Sequence, residues 1–161
     1  MSEAEKIQVE TEAEIRQRIR EYHDILLTSS SILAGFSLTG LLGLPGVGQA
    51  GIEATAGSLG LTYSWLAFPV AYISMLMATI AFLGVLIAIV SFRFQGKPLS
   101  LPQLKVSFKI SVLVFGIGIA NLFIATISYA VPSFPGLVVG LAGGVSMVVV
   151  LLYRAFLMQK A

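Results

Sequence analysis

Apolar residues in this chain run in four long stretches, separated by glycine-rich, proline-rich or basic segments. The first stretch, Ile25 to Leu44 (ILLTSSSILAGFSLTGLLGL), carries no charge and has the length of a bilayer span. About half of it is serine, threonine, glycine or alanine. Such a span is suited to meeting other helices, or water, rather than lipid alone. Ahead of it, from Thr11 to Asp24, Ile15, Ile19, Tyr22 and Leu26 recur at helical spacing and form one apolar stripe. Glu12 with Arg16 and Glu14 with Arg18 are i,i+4 pairs in the favourable order. No proline or glycine separates the two segments, so the pattern predicts one helix from about Thr11 to Leu44. It would be roughly 50 Å long and protrude roughly 20 Å beyond a hydrocarbon core of about 30 Å. Residues 1–10 are polar, acidic and terminal, and are expected to be disordered.

The run Gly43 to Gly60 is rich in glycine, contains Pro45 and reads as a loop. A second span is predicted over residues 62–92, with Pro69 near its start and Tyr63 and Trp65 at an interfacial belt. Arg93 to Lys109 (RFQGKPLSLPQLKVSFK) reads as a basic connection. A third span covers 106–130. A short turn with Pro132, Ser133 and Pro135 leads into a fourth, 134–157. The predicted fold is an all-α integral membrane protein of four transmembrane helices, the first extended into the cytoplasm.

Composition agrees: 57% of the 161 residues are hydrophobic and only 11% charged, against about a quarter charged in soluble domains. The basic residues orient the spans. Arg16, Arg18, Arg20, Arg93, Lys97, Lys105, Lys109, Arg154 and Lys160 all fall on one side if there are four spans, and the other two loops have no Lys or Arg. A multi-pass protein of the plasma membrane with both termini cytoplasmic is expected. The acidic start has no apolar stretch of the kind a cleaved leader needs, and no lipidation motif is evident. The absence of cysteine excludes disulfides and thiolate metal sites.

No Asp, Glu, Arg or His lies deep in a span. Proton pumps, ion-coupled transporters and voltage sensors usually need such groups at depth. Nucleophile–base pairs and acidic metal clusters are also missing, so no enzyme, metal or cofactor is expected, nor a nucleic-acid partner. Ser31, Gly35, Thr39 and Gly43 form a ladder of small residues four apart, which suits either close helix packing or the lining of a pore. On a neighbouring line Thr28, Ile32, Phe36, Thr39 and Gly43 alternate polar and apolar positions, and apolar constrictions can gate by dewetting. Gly136, Gly140 and Gly144 make GxxxGxxxG, a signal for tight helix contact. Asn121 is expected to hydrogen-bond across to another helix. His23, the only histidine, reads as a surface group at the membrane edge, or as a pH-responsive gate. Arg16, Arg18 and Arg20 serve topology or anionic headgroups. If copies gather about an axis, Arg20 and Asp24 instead form charged rings in a cytosolic vestibule.

The segment SSSILAGFSLTGL (Ser29 to Leu41) and the exit LLYRAF (Leu151 to Phe156) resemble elements of the Orai family of store-operated calcium channels. The likeness covers the four-span topology and about a dozen residues of motif. It implies an oligomer whose first helix lines a central pore. The resemblance places the family's pore phenylalanine at Phe36, its glycine hinge at Gly35, its valine constriction at Thr39 and an apolar pore position at Ile32. The basic ring nearest the membrane falls on Thr28 and a deeper one on Arg20. The calcium-filter glutamate falls on Gly43, so the carboxylate ring is missing, and Glu53 could supply only a wider outer one. The family's protein partners are not implied, because its long C-terminal cytosolic helix has no counterpart.

Two readings follow. In the first, the chain is a homo-oligomeric, weakly selective ion channel in contact with lipids and ions. In the second, it is a non-conducting scaffold or accessory subunit that docks partners through its amphipathic N-terminal helix.

Overall fold

The computed structural model describes residues 3–94 and 100–157, with side chains described over 11–94 and 100–153. Four helices follow one another: α1 (Glu3–Ser58), α2 (Ala67–Phe94), α3 (Leu101–Ala130) and α4 (Phe134–Leu157). Each is long and apolar enough to cross a membrane. The chain is an all-α, multi-pass membrane protein. The 28 residues of α2 span roughly 40 Å, more than a hydrocarbon core of about 30 Å.

Four boundaries differ from those read in the sequence, the simplest being α2, which starts at Ala67 rather than near Thr62. The backbone is already helical from Glu3, so most of the opening ten residues expected to be disordered belong to α1. The segment Gly43 to Gly60 is not a loop. Helix runs through Pro45, breaks at Gly48 (φ 64°, ψ 179°) and resumes as far as Ser58. That backbone conformation is open essentially to glycine alone, so one residue makes the break and the other glycines as far as Gly57 stay helical. Pro45 removes one helical N–H bond close to the break. The helix stops at Gly60 (φ 66°), where Leu61 N–H bonds Ala56 C=O at 2.9 Å and Gly60 N–H bonds Gly57 C=O at 3.1 Å. This pair of bonds is a Schellman motif. Finally, α3 starts at Leu101 rather than near Val106. The Ser100 backbone N–H donates to Gln103 Oε1 at 3.1 Å, and Pro102 sits in the first turn, where its missing N–H costs nothing. Lys105 and Lys109 therefore stand on helix; Lys97 lies outside the described residues.

The helices form a row rather than a closed bundle. α2 and α3 share the most extensive interface, α1 lies on α2 and the edge of α3, and α4 packs chiefly on α3. Paired residues fix the directions. Asp24 meets Arg93 and Ser37 meets Thr79, so α1 and α2 are antiparallel. His23 meets Phe108 and Leu44 shares a core with Ala125, which sets α1 parallel to α3.

Near Gly48 a core drawn from all four helices, of Leu44, Ile52, Ala67, Ala71, Met75, Ala125 and Leu137, is closed by the arm of α1 beyond that residue, whose Ile52 and Ala56 are buried. Here Ser64 N–H bonds Pro132 C=O at 3.0 Å, joining the α1–α2 connection to the α3–α4 turn. Mid-row, Phe82 fills the space between Ala34, Ala78 and Phe115. A Cβ on Gly118 would lie 2.7 Å from the Phe82 ring, so glycine is what lets α3 approach this closely. Large apolar side chains left exposed, such as Ile73, Ile80 and Ile87 on α2 and Val138, Val145 and Val149 on α4, suit contact with lipid.

Candidate functional site

The first helix has two faces that differ in what covers them. His23, Ser30, Ser37 and Leu44 recur every seven residues and are all buried, with Ala34 beside them. This stripe is the seam against α2 and α3. At 3.6 residues per turn, Thr28, Ile32, Gly35 and Thr39 fall on the opposite face, and all are exposed. Ile32 is 67% and Phe36 64% exposed. A Cβ added at Gly35 or Gly43 would meet no atom within 4 Å. Helices α2 and α3 lie on the other side, and this small, hydroxyl-bearing face stays open.

Its hydroxyl groups are already occupied as donors. Thr28 Oγ1 donates to Asp24 C=O at 3.0 Å, Ser31 Oγ to Leu27 C=O at 2.8 Å and Thr39 Oγ1 to Gly35 C=O at 2.9 Å. Bonding back to one's own helix leaves only oxygen lone pairs facing outward. The face can therefore accept weak hydrogen bonds or coordinate weakly. It presents no carboxylate between Asp24 and Glu53. Among the described residues no cluster of three metal-ligating side chains occurs. Beside the face a groove of ≈ 370 Å³ opens between Phe36, Thr39 and Gly43 of α1, Met75 of α2, and Thr126 and Tyr129 of α3. Its lining is almost entirely apolar.

The other sequence candidates take different positions. Arg20 is exposed at the basic end of α1. Asp24 is also exposed, but its carboxylate is held by the Arg93 guanidinium at the end of α2, which draws it sideways along the subunit. Ser31 lies on the open side of α1, with no role in packing inside the subunit. Gly140 and Gly144 are buried, and a Cβ on them would lie 3.4 Å and 2.5 Å from Ile127 and Ile124 of α3. Gly136 instead abuts Val131 of the preceding turn. Glu53 is exposed on the arm beyond Gly48. Asn121 does not reach another helix: its Nδ2 donates to Ile117 C=O at 2.9 Å within α3. The side chain of Arg154 and all of Lys160 lie outside the described residues.

Two clusters went unread in the sequence. Ser37 Oγ and Thr79 Oγ1 are buried, and Thr79 donates to Ser37 at 3.0 Å, which joins α1 to α2 inside the subunit. The seven-residue spacing of Ser30, Ser37 and Leu44 was the available signal. The second cluster surrounds His23, which is not a surface group. It is 7% exposed, its ring stands edge-on to Phe108 at 5.5 Å between centroids, and its Nε2 has no partner. It lies just ahead of the uncharged segment that begins at Ile25. Burial, and then the nearby Arg93 guanidinium, hold its imidazole below the ordinary histidine value of 6.5. No protein-family model, no curated protein and no solved structure matches the chain.

Proposed function

We propose that copies of this chain assemble in the plasma membrane around α1 and conduct ions through an axis lined by its open face. The observation that carries this reading is the contrast within α1. The face that carries Thr28, Ser31, Gly35, Thr39 and Gly43 is the one that the rest of the subunit leaves uncovered. In the assembly Ile32 and Phe36 form the apolar constriction, and Thr28, Ser31 and Thr39 form hydroxyl steps on either side. Gly35 and Gly43 let the helices approach or leave room for water. The basic ends, with Arg20, lie in the cytoplasm, as the distribution of Lys and Arg favours. With no carboxylate ring at Gly43, selectivity among small ions is weak. The resemblance to Orai channels points the same way.

Single cysteines test the assembly directly, since the chain has none of its own. Thr39→Cys and Gly43→Cys on the open face should give covalent dimers on mild oxidation, and Ser30→Cys on the buried seam should give none. In liposomes the Phe36→Ala and Ile32→Ser variants should raise salt flux many-fold over the parent chain. Monomers throughout, with no flux from parent or variants, would defeat the channel and leave the scaffold, whose docking arm is the N-terminal part of α1.

A further inference from the structure

We infer that His23 is an acid-sensitive latch: its neutral ring fastens the basic end of α1 to α2 and α3, and gaining a proton releases that end. The inference is independent of whether the protein conducts ions.

The geometry favours the uncharged ring. His23 and Tyr22 both pack on Phe108 of α3, at centroid separations of 5.5 and 5.8 Å. The ring is 7% exposed, and a proton on its buried Nε2 has no acceptor within reach. A buried donor without an acceptor is costly, and a charged one more so. The charges around it are mostly of the wrong sign. From α2 it faces Arg93. On α3, Lys105 and Lys109 flank Phe108 in the same stretch of helix. On α1, Arg20 precedes it by one turn. The α1 carboxylates nearest in sequence are Glu21, which accepts from Gln17 Nε2 at 3.0 Å, and Asp24, which is engaged by Arg93.

A proton on His23 therefore creates a buried imidazolium next to a guanidinium. Moving the ring outward relieves both problems and brings it towards the exposed Asp24 carboxylate. There it competes with Arg93 for the ion pair that ties α1 to α2 at this end. The sign is fixed by the lowered proton affinity. A histidine that binds its proton less readily in the folded state stabilises that state fully above its unfolded value of about 6.5. The contribution is lost as pH falls below that value towards the folded one. The latch is closed at neutral pH and opens in mild acid.

The single histidine makes the test clean. In protein labelled with ¹⁵N-histidine, one titration curve is expected, with its midpoint below 6.5. Spin labels on Gln17→Cys and Val106→Cys, diluted with unlabelled chains, report the distance from α1 to α3. That distance should lengthen over the same pH interval as the curve. In His23→Phe, which keeps the ring contact, and in His23→Gln, which stays neutral, it should not depend on pH in that interval. Three results would overturn the latch: a midpoint at or above 6.5, a distance that stays constant while His23 titrates, or the same pH-dependent lengthening in the two variants.

Discussion

Ser37 and Thr39 are two residues apart, both small and both hydroxylated, yet they lie on opposing sides of α1 and do different work. Ser37 is fully buried and joins α1 to Thr79 of α2. Thr39 is exposed and returns its proton to Gly35 of its own helix. The same contrast runs along the helix, with Ser30 and Ala34 on the covered side and Thr28 and Gly35 on the uncovered one. Small polar residues in a membrane helix signal close approach, but they do not name the partner. Within this subunit one face has its partner and the other does not, and a hydroxyl closed on its own backbone is compatible with lipid, water or another helix.

The sharpest way to break this contrast is to enlarge both residues. Ser37→Leu forces a branched side chain into the seam between α1 and α2, where the serine has no exposed surface. Overpacking a filled site costs about 1–3 kcal/mol, and the Thr79 hydroxyl loses its neighbour as well. Thr39→Leu adds its bulk where nothing stands in the way and should leave subunit stability unchanged. Reversible unfolding in mixed micelles measures both. Equal losses from the two variants would show that the open face is covered within the subunit after all.

How much of this was legible beforehand depends on the signal each element leaves. The fourth helix was read at 134–157 and is found at Phe134–Leu157, because Pro132 and Pro135 mark its start. The glycines between 43 and 60 misled, because glycine content argues for a loop only if several glycines depart from helical angles. Here Gly48 alone departs inside the helix, and Gly60 caps its end. The two faces of α1 could not be ranked from sequence. A spacing of four picks out Ser31, Gly35, Thr39 and Gly43, while a spacing of seven picks out His23, Ser30, Ser37 and Leu44. Only the position of Thr79 and Phe108 on other helices decides which stripe the subunit covers. The burial of His23 depends on Phe108, 85 positions away in sequence, which no local pattern could reveal.

A gentler comparison stays on the covered face. Ser37 and Ser30 are both fully buried, but Ser30 Oγ has no hydrogen-bond partner. A double-mutant cycle of Ser37→Ala and Thr79→Val should give a coupling of about 0.6 kcal/mol, the average for such bonds between membrane helices. Ser30→Ala should cost nothing or raise stability slightly, since it removes an unsatisfied hydroxyl. A loss from Ser30→Ala as large as that from Ser37→Ala would mean that the Ser30 hydroxyl has a partner, such as water, in the folded protein.

The smallest effect on folding is expected on the open face. Thr28→Val and Thr39→Val keep the shape of the side chain and remove a hydroxyl bonded only within its own helix. Their stabilities should lie within about 0.5 kcal/mol of the parent. Their value is that a silent change in folding leaves function readable. If the face surrounds water, exchanging a hydroxyl for a methyl adds an apolar step to the path. Salt flux measured in the Phe36→Ala background should then fall, and fall further when both threonines are replaced. If the face looks onto lipid, the same replacements only make it more apolar and leave flux where it was. Two variants that fold alike thus separate a wet axis from a lipid-facing helix, because they alter the one property on which the two environments disagree.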